Sequence, residues 1–102
     1  MKPEPNLCVL VARIAELEAL RYTPAGLPAL NLLLEHESDM QEAGQARQVK
    51  LAMKSVAFAS VAERLAHQTS GSLSGTWRFK GFLASQRNGK GVVFHIQEFA
   101  PD

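Results

Sequence analysis

A tight turn that leads directly into an alternating apolar segment most constrains the fold of this 102-residue chain. Residues 23–26 read Thr-Pro-Ala-Gly, where the proline fixes φ and the glycine accepts positive φ, so they predict a turn. Pro28 has no amide hydrogen and therefore suits the start or the edge of a strand. Beyond it, one face of an extended chain would carry Leu30, Leu32 and Leu34. The segment is predicted to be a loop that feeds a strand.

Three later stretches also alternate as half-buried strands do: residues 47–55, residues 77–83 and residues 92–96. The last two flank Asn88-Gly89, a strong signal for a hairpin turn. Residues 7–20 fit either a strand or an amphipathic helix, and the pattern alone leaves both open.

A short helix is predicted between the strands at 47–55 and 77–83. Its apolar residues, at helical spacing, are Phe58, Val61, Ala62 and Leu65. Ser60 and Glu63 match a capping box, which predicts the helix start. Residues 68–75 are small and polar and predict a linker.

Composition indicates one globular domain that spans residues 1–102, since 46% of the residues are hydrophobic and 21% are charged. Cys8 is the single cysteine, so no intramolecular disulfide is possible, and we expect a buried thiol in a reducing cytosol. Residues 1–6 lack the layout of a secretion signal, and the apolar run at 7–12 is too short for a membrane span. We therefore expect a cytoplasmic protein without membrane association.

The charge is divided unevenly along the chain, although the net charge is only +1. Residues 1–46 hold three basic and seven acidic side chains, whereas residues 47–102 hold eight basic and three acidic ones. Such asymmetry suggests an anionic partner.

Catalytic and metal chemistry find little support in the sequence. His36, His67 and His95 fall in three different predicted elements, and the single cysteine excludes a Cys-pair metal motif. We expect no catalytic residue, no bound metal and no cofactor, and hence a protein that is not an enzyme.

Residues 21–38, which run from Arg-Tyr-Thr-Pro to Leu-Glu-His-Glu-Ser, resemble the first hairpin of the primosomal replication protein N (PriB) family. Gln-Glu-Ala-Gly-x-x-Arg-Gln at 41–48, Gly-Phe-Leu at 81–83 and Asn-Gly at 88–89 extend the resemblance across residues 6–99. It implies an all-β fold, a five-stranded oligonucleotide-binding barrel with a short helical insert between strands 3 and 4. It also favours a long, bent first strand over residues 7–20.

The resemblance further implies a homodimer that binds single-stranded DNA when stalled replication forks restart. The implied partners are the PriA-type primosomal helicase, which the dimer would help to hold on DNA, and other primosome proteins. A dimer also follows from the first strand, because its leading part is apolar on both faces and a barrel buries only one.

In this topology, the loops that join strands 1–2 and 4–5 rise beside the outer face of strands 2–3, so cations there would track a phosphate backbone. The third strand carries lysines on one face and an arginine at its entrance, and both loops carry basic residues. The predicted nucleic-acid-binding residues are Arg21, Tyr22, Arg47, Lys50, Lys54, Arg87 and Lys90.

Two aromatic positions of the family motif are replaced in this chain, by Gln45 and Lys50. Tyr22 is the aromatic residue predicted to compensate, and binding is expected to depend on charge more than on base stacking. Two alternatives stay open: a protein adaptor for the helicase with weak DNA affinity, and a general single-strand- or RNA-binding protein. General coating proteins usually carry a disordered acidic tail, whereas this chain ends at Phe-Ala-Pro-Asp.

Overall fold

The computed structural model of the chain describes residues 5–102; most of the N-terminal segment considered for a secretion signal, residues 1–4, lies outside them. The described part contains six strands and one helix. Their bounds are β1 Cys8–Leu17, β2 Arg21–Tyr22, β3 Pro28–Glu42, β4 Gln45–Phe58, α1 Ala59–Gln68, β5 Trp77–Ser85 and β6 Val92–Pro101.

The five long strands close into a barrel because β1 pairs with two partners. Its first half, Cys8 to Ala12, pairs with β5, and its second half, Arg13 to Leu17, pairs with β3. A bulge between Ile14 and Glu16, within the half that pairs with β3, bends the strand. The remaining neighbours are β5 with β6, β6 with β4, and β4 with β3. The predicted all-β fold is confirmed, and so is a bent first strand, which spans Cys8–Leu17 and not all of residues 7–20.

The helix lies between the third and fourth long strands, as predicted, but its start differs from the prediction. It follows β4 without a break, and its N-cap is Phe58, which has extended backbone and makes no side-chain capping bond. Ser60 therefore lies inside the first turn, and the predicted capping box is wrong. The two-residue strand β2, which pairs with the start of β3, was also not predicted.

Alternation along the strands fills the barrel with large apolar side chains. Leu30 and Leu34 of β3, Phe79 of β5 and Phe94 of β6 are fully buried there. Helix α1 adds Leu65 to the same core, so the helix covers one end of the barrel. The Cys8 thiol is only partly buried at the edge of this core, which corrects the expected burial.

Within residues 5–102, the seam between β4 and β6 is the one parallel pairing. It is three residue pairs long: Ser55 with Phe94, Val56 with His95, and Ala57 with Ile96. Close by, β5 approaches β6 at Gly81, where a β carbon would fall on the carbonyl oxygen of His95. A glycine is therefore needed at position 81 for the two backbones to meet.

The β3–β4 hairpin continues beyond the barrel as an arm, here defined as residues 37–50, whose strands pair only with each other. Ala43 and Gly44 turn its tip, with φ of 53° and 78°. At its base the Nδ1–H of His36 donates to the carbonyl of Val11 at 2.6 Å, and its Nε2 lies 2.8 Å from the Ser38 hydroxyl oxygen. This imidazole ties the arm to β1 just beyond the last β1–β3 backbone pair.

Candidate nucleic-acid interface

A groove of about 650 Å³ crosses the outside of the barrel. Its floor is a row of outward side chains that crosses three neighbouring strands. Asn31 of β3 pairs with Val56 of β4, and Val56 pairs with His95 of β6, so the three side chains lie side by side. Asn31 faces outward since its neighbours Leu30 and Leu32 fill the core. One wall is the segment from Arg21 to Pro24, and the other is formed by residues 85–87 at the end of β5 and in the β5–β6 loop. We call this feature the cross-barrel groove.

Two of the predicted cations stand on opposite walls of the groove. Arg21 comes from β2, and its Nη2 donates to Asn31 Oδ1 at 3.3 Å, which directs the side chain over the floor. Arg87 comes from the β5–β6 loop and lines the facing wall. Their guanidiniums are the donors that pair best with phosphate oxygens.

Lys54 and Lys90 do not line the groove. Lys54 projects from the outward face of β4 into an adjoining pocket that shares Asn31 and Gln86 with the groove. Lys90 lies in the β5–β6 loop, where its backbone N–H donates to Asn88 Oδ1 at 2.8 Å. Among residues 5–102, no carboxylate lies within 4.0 Å of Lys54, Arg87 or Lys90, so all three keep their charge available.

The structure does not bring Arg47 and Lys50 to the groove. Both lie on the arm, where Arg47 Nη1 is 2.6 Å from Glu42 Oε1, and Lys50 Nζ is 4.0 Å from Glu37 Oε2. Lys50 shares the outward face with Lys54, whereas Arg47 points to the opposite face of the hairpin because strand positions alternate. Each of these two cations, which were predicted to meet phosphate, is therefore paired at the exposed surface with a carboxylate of the arm.

Aromatic side chains that the sequence analysis missed lie beside the groove. Phe58 ends β4 on the outward face, is 37% exposed, and has its ring centroid 6.0 Å from that of His95. His95 in turn stacks on Phe82 of β5, with 4.8 Å between centroids and 10° between planes. Phe58 and His95 line the groove and also the cavity next to it, which Phe82 lines. These rings offer flat apolar surface for base stacking.

A signal for Phe58 was present in the sequence but was assigned to the wrong element. Its spacing with Val61 and Leu65 is helical, which suggested a core position on the helix. Phe58 is also two residues beyond Val56 and four beyond Lys54, so on a continued strand it would face outward with them. In the structure β4 does continue to Phe58, and the side chain faces outward. Tyr22, the aromatic residue predicted to compensate, is 63% exposed on β2 and lies outside the lining of the groove.

The described part of the chain offers little for other kinds of site. Across residues 5–102, no three His, Cys, Asp or Glu side chains gather closely enough to hold a metal ion. Over the same residues, no helix combines the length and hydrophobicity needed to cross a bilayer.

Comparison with known proteins points to one family. Residues 6–98 match the model described as "another single-strand binding protein family". The replication restart protein PriB of Bordetella pertussis is 43% identical over 94 residues, which cover 91% of this chain and 85% of that protein. The crystal structure of PriB from Ralstonia solanacearum superposes with a TM-score of 0.83 at 35% identity, covering 96% of this chain and 98% of that one.

A more distant likeness concerns the fold alone. The small single-stranded DNA-binding protein of Streptomyces coelicolor has a TM-score of 0.74 at 10% identity, over 98% of this chain and 96% of that one. The barrel is therefore shared well beyond recognisable sequence similarity.

The exposed ring of Phe58 generates a test of the groove. Replacing it in Phe58→Leu keeps an apolar side chain but removes the stacking surface, which contributes about 1–3 kcal/mol per base. We expect the dissociation constant for a single-stranded oligonucleotide, measured by fluorescence anisotropy, to rise roughly five- to hundredfold. Tyr22→Leu is the matched control and should change affinity far less. A larger loss from Tyr22→Leu than from Phe58→Leu would contradict this assignment.

Proposed function

The chain belongs to the single-strand binding protein family and, within it, to the PriB replication restart proteins, and from this we propose that it binds single-stranded DNA in the cross-barrel groove. We further propose that it is a non-enzymatic accessory of the replication-restart primosome that stabilises the primosomal helicase on DNA. A cytoplasmic location accords with that role, because bacterial replication forks are in the cytoplasm.

The observation that carries the DNA-binding proposal is the placement of Arg21 and Arg87 on facing walls above a floor that includes Phe58 and His95. Cations at the rim hold phosphates, and rings in the floor stack against bases, which is how sequence-tolerant single-strand binding works. The family motif has aromatic residues at the positions that Gln45 and Lys50 occupy in this chain. The floor of the groove supplies aromatic surface at other positions.

The salt dependence of binding tests this arrangement. Each phosphate neutralised on a single strand contributes about −0.7 to the slope of log K against log salt. Arg21→Ala combined with Arg87→Ala should therefore flatten the slope by roughly one to one and a half and weaken binding alike for all sequences. The measurement is a titration of labelled oligonucleotide at several salt concentrations.

The matched control removes two cations from the arm, in Arg47→Ala combined with Lys50→Ala. It changes the net charge equally but should leave the slope nearly unchanged, because neither side chain lines the groove. If the arm variant flattens the slope and the groove variant does not, the groove is not the DNA contact. If neither variant matters and affinity is low throughout, the helicase-adaptor alternative becomes the better proposal.

We also propose a symmetric dimer formed through β1. Val9 of β1 and Leu7, just before the strand, are 48% and 63% exposed on the outer side, while alternate residues pack against the core. The Asn6 amide is bound to the backbone of Leu83 by hydrogen bonds of 2.8 and 3.0 Å, which anchors the segment that carries Leu7. An ordered, uncovered apolar row of this kind is typical of an interface.

Sedimentation equilibrium tests the dimer. The wild-type protein should sediment at twice the 11.1 kDa chain mass at micromolar concentration, and Val9→Glu should shift it toward the monomer. Val92→Glu is the control, since Val92 on β6 is 47% exposed, almost as much as Val9. A wild-type monomer, or equal dissociation by both substitutions, would count against an interface at β1.

The helicase proposal is tested by reconstitution with the purified PriA-type helicase. The protein alone should show no ATPase or strand-separating activity, and unwinding of a forked substrate should increase only when both proteins are present. The groove variant should lose most of this stimulation if the protein acts by holding DNA. Full stimulation by a variant that no longer binds DNA would favour the adaptor alternative.

A further inference from the structure

A second cavity adjoins the cross-barrel groove at the side of β1, with a volume of about 350 Å³. It shares Asn31, Gln86 and Val93 with the groove, so a strand that lies in the groove can extend into it. We call this cavity the end pocket. Its volume is at the lower end of the range for small-molecule sites, roughly 300–1,000 Å³.

The end pocket differs from the groove in its hydrogen-bonding groups. Glu16 of β1 and Glu18, just past the end of the strand, lie on the same side of the chain because they are two residues apart, and both line the pocket together with Gln86. Glu18 Oε1 accepts from Asn31 Nδ2 at 3.4 Å, and Asn31 Oδ1 accepts from Arg21, so one carboxylate is oriented by the groove itself.

These groups repel phosphate and accept hydrogen bonds. Ionised carboxylates have acceptor oxygens only. A phosphate would therefore be repelled near Glu16 and Glu18, whereas a base edge that carries N–H donors could form hydrogen bonds with them. Leu33 and Val93 supply apolar wall for the face of a base. Lys54, on the opposite lining, is placed to hold the phosphate of that nucleotide.

Among the bases, guanine matches this lining best. Its Watson–Crick edge presents two adjacent donors, N1–H and the N2 amino group, which fit the two oxygens of one carboxylate. Thymine presents a single N–H between two carbonyl oxygens, which the carboxylates would repel. In single strands these edges are free to be read. We propose that the end pocket takes a guanine base and that Glu16 and Glu18 give the protein a preference for it.

This inference rests on the proposed DNA binding in the groove, and the test separates the two. Three oligonucleotides of about 15 nucleotides, a length that covers one such barrel, are compared by anisotropy: all thymine, thymine with one central guanine, and the same with inosine, which lacks the N2 amino group. The guanine strand should bind at least about fivefold tighter than the thymine strand. The inosine strand should lose most of that advantage.

The variant Glu16→Gln with Glu18→Gln distinguishes base reading from simple charge. Loss of two negative charges should tighten binding of every strand, but the ratio between guanine and thymine strands should fall toward one. Glu63→Gln with Glu98→Gln, which removes equal charge on α1 and β6, should leave the ratio as in wild type.

Two results would overturn the inference while leaving DNA binding in place: equal wild-type affinity for all three strands, or a guanine preference that survives in Glu16→Gln with Glu18→Gln. Failure of all three strands to bind would overturn the proposed function and this inference with it.

Discussion

The division of β1 between two partners is the constraint on which the rest of this structure depends. Because the strand pairs first with β5 and then with β3, the sheet closes on itself. The strand order β2-β3-β4-β6-β5 places the segment around Arg21 and the loop at Arg87 at the two sides of one surface, and closure curves that surface around the core. Without the second pairing the sheet would be open.

Closure also divides each long strand into a core row and an outer row. The side chains that stabilise the fold and those proposed to bind DNA are alternate residues of the same strands, as with Phe94 and His95. A one-residue slip in pairing would exchange the two rows. The backbone contact at Gly81 ties β5 to one register against His95, so the stacked ring pair Phe82–His95 is positioned by the barrel itself.

Most of the fold was predictable from alternation and turn residues, because these signals are local. The resemblance resolved residues 7–20, whose pattern fits both a strand and a helix. The end of β4 was misplaced because Phe58 satisfies strand parity and helical spacing alike, and no capping side chain marks the junction.

The site was harder to predict because its parts are distant in sequence. Arg21 and Arg87 were identified from the loop positions of the topology, and the structure places them on one groove. For Arg47 and Lys50, the decisive partners are carboxylates on the facing strand, and they follow only from the hairpin register set at Ala43 and Gly44. The contacts among the rings of Phe58, His95 and Phe82 depend on how β4, β5 and β6 pair, and the sequence of any one segment does not determine that pairing.

The parallel seam under the groove links ligand binding to the integrity of the fold. Only three residue pairs join β4 to β6, and parallel pairing is slightly weaker per residue than antiparallel pairing. Local opening should therefore be easiest there, and a polynucleotide that spans β3, β4 and β6 would brace the barrel at this seam. Since a ligand stabilises whichever state binds it, the proposed binding of a single strand would make the folded barrel more resistant to unfolding.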